Sequence, residues 1–146
     1  MNERKIAHVF SCIQECIIEK ISLDGKTLNI QLECSHLENF LGKDQRNLFL
    51  VLKELTHCRF QFWDDEDIII DSIREIELLK PEIINADIMH DGMIKIYCDC
   101  KNLNTGGNLM LCFDDIKVYN SFFDELNTEQ LIEMSEKYWY SGEAEY

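Results

Sequence analysis

Proline is almost missing from this chain: Pro81 stands alone, and six glycines accompany it among 146 residues. So few chain breakers leave no room for a flexible linker, and the length predicts one domain over residues 1–146. No apolar run approaches the roughly 20 residues that a membrane-spanning helix needs. The first ten residues, Met-Asn-Glu-Arg-Lys-Ile-Ala-His-Val-Phe, lack a sustained apolar segment and a small-residue cleavage site. No secretory signal is therefore expected there, and a soluble cytoplasmic protein is. Bases are also scarce, with 14 Lys and Arg against 28 Asp and Glu, a net charge of −14. Nucleic-acid binding needs a basic stripe, so that class is excluded, as is docking on an acidic membrane.

The chain is 46% hydrophobic, enough to bury a substantial core. Its charge is lopsided. Residues 1–63 hold eight acids and eight bases, whereas residues 64–146 hold twenty acids and six bases. Such a field repels anions and attracts basic partners. Seven cysteines are many for this length. Without a secretion signal, free thiols are the expectation, and six of the seven sit among apolar neighbours, where Cys acts as a small hydrophobe.

The segment from Glu82 to Tyr119 organises the rest. A two-residue loop at Asp91-Gly92 would set Ile88 across from Lys95 and mix the faces of a hairpin. A three-residue loop, His90-Asp91-Gly92, sets Ile88 across from Ile94, Ala86 from Ile96 and Ile84 from Cys98. One face is then wholly apolar, and burial selects that register. The loop needs a positive φ, which Gly92 supplies. Lys101 to Gly107 reads as a turn, and Leu109, Leu111 and Phe113 alternate as a third strand. At Asp114-Asp115 the alternation changes phase, so a bulge or tight turn precedes Ile116 and Val118.

Before that segment, Ile6, Val9, Phe10 and Ile13 predict an amphipathic helix over residues 3–15. Ile17 to Leu32 reads as a hairpin turning at Asp24-Gly25, with Ile21 facing Leu28 and Ile17 facing Leu32. Ser35 and Glu38 begin a short helix ending near Gly42. Residues 47–55 fit either period but lead into the clean alternation of residues 58–62, which favours a strand. Ile68 to Leu79 suits a short helix, which Asp67 could cap, or two short strands. Asn127 and Gln130 predict a capped last helix ending near Gly142. The expected fold class is α+β: a mainly antiparallel sheet of six to eight short strands, sandwich-like or strongly curved, with a helix at each end.

Chemical motifs are thin. Cys98 and Cys100 share a strand face, but Cys112 belongs to the opposite one, and no C-x₂₋₄-C knuckle with a second ligand pair is present, so no metal is expected. His57 and Cys58 are adjacent and point apart on a strand, which denies the thiol a base. Gly106-Gly107 lacks the lysine and following helix of a phosphate loop. No cofactor and no catalytic residue are expected. The densest charge is residues 64–77, with seven acids against Arg74. A docking face is expected from Asp64, Asp65, Glu66, Asp67, Asp71 and Glu75 with Asp114 and Asp115. Trp63 and Tyr140 are its aromatic anchors.

Length near 150, cysteine-bearing strands, Gly106-Gly107 before Leu109-Met110-Leu111, an acidic second half and Tyr138-Trp139 near the end form a recognisable set. In these features the chain resembles the small acidic immunity proteins of bacterial polymorphic-toxin and contact-dependent inhibition systems. The resemblance implies a non-enzymatic inhibitor that blocks a basic toxin domain, often a nuclease, in the cell that makes it. An adaptor or subunit of another complex, or a homodimer pairing through a strand edge, is the alternative.

Overall fold

The computed structural model describes residues 3–37 and 46–143, apart from the side chains of His36, Ser135 and residues 137–143. It is α+β. Helix α1 (Glu3–Cys12) leads into the hairpin β1 (Ile17–Asp24) and β2 (Thr27–Glu33), then β3 (Asn47–Lys53), β4 (His57–Phe62) and β5 (Ile69–Ile70). Helix α2 (Ile73–Leu78) follows, then β6 (Glu82–Ile88), β7 (Ile94–Cys100), β8 (Thr105–Cys112), β9 (Asp115–Tyr119), β10 (Glu125–Leu126) and α3 (Thr128–Glu143). All ten strands join one antiparallel sheet in the order β10-β9-β3-β2-β1-β6-β7-β8-β4-β5. The count exceeds the expected six to eight because two-residue strands add both edges, and no periodicity can announce a strand so short.

That order forces curvature. Strands β8 and β9 lie six places apart, roughly 29 Å in a flat sheet. Only Phe113 and Asp114 join them, and three Cα steps reach at most about 11 Å. β3 and β4 are also six places apart and are joined by Glu54, Leu55 and Thr56. The two links run side by side: Asp114 N donates to Lys53 O and Thr56 N to Cys112 O, both at 2.9 Å. One long ribbon, β3–β4 against β8–β9, thus turns a corner. One strand carries three residues through it and the other two, a bulge-like mismatch, and Glu54 takes a φ of 56° there. The phase change at Asp114 is this corner.

The central hairpin has the expected register from Ile88↔Ile94 to Ala86↔Ile96. Met89 N donates to Met93 O (2.7 Å) across the three-residue loop, and Gly92 has a φ of 84°. Beyond Asn85 a bulge substitutes Ile83 for Ile84 opposite Cys98, so Ile83 is buried and Ile84 is 47% exposed. In the first hairpin the loop is Gly25-Lys26 rather than Asp24-Gly25, and Ile21 faces Ile30. Both registers keep Leu28, Ile30 and Leu32 on the core face, so burial does not choose between them. The turn does, with Gly25 at a φ of 61°. A bulge between Ile18 and Lys20 then sets Ile18 rather than the expected Ile17 opposite Leu32, and Ile18 is buried.

Two glycines expected in a turn are strand residues. The turn is Lys101–Leu103 with Asn104 at a φ of 55°, and β8 begins at Thr105. A Cβ on Gly106 would strike the Trp63 ring and Cys98 O; one on Gly107 would strike the Phe60 ring and Gln61 O. Glycine here admits close approach. Helix α2 is capped by Ser72, whose Oγ accepts from Glu75 N, and not by Asp67. The Asn127–Gln130 capping box is present, with both reciprocal hydrogen bonds at 2.8 Å. At Ser35–Leu37 the chain makes one 3₁₀ turn; Glu38 and Gly42 lie outside the described residues.

Alternate residues of β2, β3, β7 and β8 meet in one core. Against it α1 buries Ile6, Val9 and Phe10, α2 buries Ile76, and α3 buries Leu131 and Met134. Cys12 Sγ donates to Leu131 O (3.1 Å), tying the terminal helices together. Not all thiols are free. Continuing the β1–β2 ladder past Ile17↔Glu33 puts Cys16 opposite Cys34, and a disulfide joins them with Cα atoms 4.8 Å apart. Closing a loop across 18 positions removes about 3 kcal/mol of unfolded-chain entropy. Replacing both residues (Cys16→Ala, Cys34→Ala) should lower stability by about 2–4 kcal/mol in urea titration without reductant. With dithiothreitol present the gap to wild type should close.

Candidate functional site

Strand alternation gives the β9-β3-β2-β1 half of the sheet an outer face. Phe49 and Val51 of β3, Lys117 and Tyr119 of β9, Asn29 and Gln31 of β2, and Lys20 and Ser22 of β1 alternate with core residues there. A solvated sheet face is ordinarily polar, yet β3 places a phenylalanine and a valine at its centre. Helix α2 borders the face along β1, where Lys80 Nζ donates to Glu19 O (2.6 Å). The β9–β10 loop borders the other side. A groove of about 570 Å³ lies between, walled by Glu77 and Phe123.

That loop is unusual. Asn120 N donates to Asp124 O and Phe123 N to Asn120 O, both at 3.0 Å, and the Asn120 carboxamide accepts from Phe122 N and Asp124 N. The pattern matches the Met89–Met93 loop, with Phe123 at the position Gly92 fills. Phe123 has a φ of 63°, which costs a side-chain-bearing residue about 1–2 kcal/mol. Its ring lies 4.7 Å from that of Phe49 yet stays 68% exposed, and Phe122 beside it is 65% exposed. Nothing in the periodicity marks these residues. A Phe-Phe pair between a strand and a helix cap is the one signal that could have found them.

The acidic residues expected to form one face are not gathered. Asp64–Asp67 follow the far end of β4 and all four are exposed. Asp64 accepts from Thr105 Oγ1 (2.6 Å), and Asp65 Oδ1 accepts from Asp67 N (3.1 Å) to close the turn. Gln61 Nε2 donates to the backbone Glu66 O (2.8 Å), and both Glu66 and Asp67 are exposed. Asp71 and Glu75 are exposed farther along, at the start of α2. Asp114 and Asp115 lie at the opposite end of the β4–β8 ladder, five residue steps or roughly 17 Å away. Partial burial of Asp115 opposes ionisation. The Lys5 hydrogen bond at 3.3 Å, the Ile116 amide and the charges of Lys5 and Lys117 outweigh it, so its carboxyl lies below its ordinary 3.8. Its contribution to stability is therefore full above that value and lost as pH falls further.

Trp63 is held rather than loose. Its backbone N–H donates to Gly106 O (3.0 Å), its Nε1 to Asn108 Oδ1 (2.8 Å), and its ring covers Gly106 while 45% exposed. With Asp64, Asp99 and Lys101 it lines a shallow depression. Tyr140 falls within α3, but its side chain lies outside the described residues.

Burial holds three of the thiols in the neutral form. Burial pushes Cys58 up to about 11, and burial with the neighbouring Asp99 charge pushes Cys100 up to about 11. Burial and then Cys100 raise Cys98 further. Cys112 faces away from Cys98 and Cys100, as its strand parity requires. Among the described residues no group of three His, Cys, Asp or Glu could hold a metal ion. On β4 the buried atoms His57 Nε2 and Arg59 Nε lack a hydrogen-bond partner.

No protein-family model, curated protein or solved structure matches this chain. The Trp63 seat makes a test of its own. Gly106→Ala drives a methyl into the indole and into Cys98 O, so stability should fall by at least about 2 kcal/mol, with a shift of the Trp63 emission maximum. An unchanged spectrum would refute the close contact.

Proposed function

We propose that the protein is a non-catalytic binding module for a basic protein, acting as an immunity protein does toward its toxin domain. The observation that carries this reading is the exposed acidic segment Asp64, Asp65, Glu66, Asp67, Asp71 and Glu75 beside the fixed, half-exposed indole of Trp63. A rigid aromatic anchor next to exposed carboxylates suits a cationic partner, with long-range attraction steering the encounter. Asp114 and Asp115 are set apart from this surface by the length of the β4–β8 ladder, and Asp115 already holds Lys5.

The homodimer alternative is the weaker one. The edge strands β5 and β10 are two residues each and offer a second copy little backbone to pair with. Two copies would also bring together chains of charge −14.

The experiment is calorimetric titration with the protein encoded beside this one in its genome, at low and high salt. The Glu66→Lys/Asp67→Lys variant, which reverses two carboxylates that do not hold the turn, should bind at least about tenfold more weakly at low salt. Wild-type affinity should drop steeply as salt rises. Affinity indifferent to both changes would overturn the reading.

A further inference from the structure

On the outer face of the sheet, Trp63, Gly106, Asp99 and Glu82 stand side by side, just past β4 and on β8, β7 and β6. We infer that this row seats one arginine side chain of the basic protein partner, its guanidinium lying against the indole of Trp63 and bonded to the carboxylate of Asp99. The inference rests on the basic-partner reading and names the residue that the Trp63 surface takes.

Two observations outside the acidic turn point to a cation here. Asp99 lies directly opposite Glu82 in the β6–β7 ladder. Like charges so placed destabilise a sheet. Lys101 relieves only one of them, with its Nζ 3.3 Å from Glu82 Oε1. The Asp99 carboxylate, half-buried on an inner strand, has no hydrogen bond or ion pair among the described residues. One strand over, the indole fills the space beside Gly106, its Nε1 fixed on Asn108 and its ring 45% exposed. Adjacent strands lie about 4.8 Å apart, so ring and carboxylate can meet one guanidinium together.

Charge around the row is one-sided. Asp64 and Asp99 line the depression against Lys101, and Lys101 is matched by Glu82. The acidic turn runs on from Asp64 without a base before Arg74. Lys80 is turned to Glu19 O on β1 (2.6 Å). On the same face Arg59 and Lys95 lie four residues back along their strands, about 13 Å away, where Lys95 sits over the Tyr97 ring at 5.3 Å. Geometry then favours arginine over lysine. A planar guanidinium stacks on an aromatic ring and grips a carboxylate with two N–H groups, whereas an ammonium is a strongly hydrated point charge.

The test titrates the full ¹⁵N-labelled chain with three synthetic peptides in which glycine alternates with arginine, with lysine or with citrulline, the uncharged isostere of arginine. The arginine peptide should shift the Trp63 indole N–H and the Asp99 and Gly106 amides. It should bind at least about threefold more tightly than the lysine peptide, and the citrulline peptide should leave all three signals in place. Asp99→Asn should weaken the arginine peptide at least about fivefold. That variant should keep or raise the melting temperature, because it removes the like-charge pair with Glu82, so lost binding would not reflect lost folding. Shifts confined to residues 65–71, with the Trp63 indole unmoved, would sink the arginine seat and leave the basic-partner reading intact. Undiminished binding to Asp99→Asn, or equal binding of the arginine and citrulline peptides, would overturn the assignment of the occupant. Failure of both cationic peptides to shift any residue would sink the two readings together.

Discussion

In the bent ribbon formed by β3–β4 and β8–β9, chain length and strand order act against each other. Two links of two and three residues span six strand places, so the sheet must fold back on itself. Once folded back, the apolar faces of β2 and β3 can oppose those of β7 and β8, and the terminal helices and α2 cover what remains open. Backbone hydrogen bonds at the corner, Asp114 N to Lys53 O and Thr56 N to Cys112 O, keep the turn from stranding polar groups. The direct contact between β1 and β6, a single ladder pair at Ile17↔Glu82, closes the other side.

The same ribbon separates three surfaces. Its corner carries Asp114 and Asp115; the far end of its β4–β8 arm carries Trp63 and the acidic turn; its β3–β9 arm carries the groove. Charge counted along the chain would merge all the acids of the second half into one field. The strand ladder instead sets them at opposite ends, and Lys5, from the neutral first half, lies on Asp115. Burial likewise raises the pKa of Cys58, Cys98 and Cys100.

Two three-residue hairpin loops make an internal comparison. In one, glycine meets the demand for positive φ at no steric cost; in the other, phenylalanine meets it at about 1–2 kcal/mol. Local chemistry explains the first fully. In the second, the ring meets that of Phe49 and stays 68% exposed.

Whatever is encoded within a few residues is legible along the chain: the α1 stripe, the Asn127–Gln130 cap, strand alternation in β3, β4, β7 and β8, and the loop at Gly92. Burial of one face per strand is a local pattern, and turn and cap chemistry are local hydrogen bonds. Tertiary structure decided everything set by register and strand order. One bulge exchanged Ile83 for Ile84, another exchanged Ile18 for Ile17 opposite Leu32, and one turn shift moved Ile21 from Leu28 to Ile30. The Cys16–Cys34 bridge, the close seating of Gly106 under Trp63 and the gathering of Phe49, Tyr119 and Phe123 all join residues distant in the chain. Their meeting follows from pairings across the sheet, which no periodicity along one strand can carry.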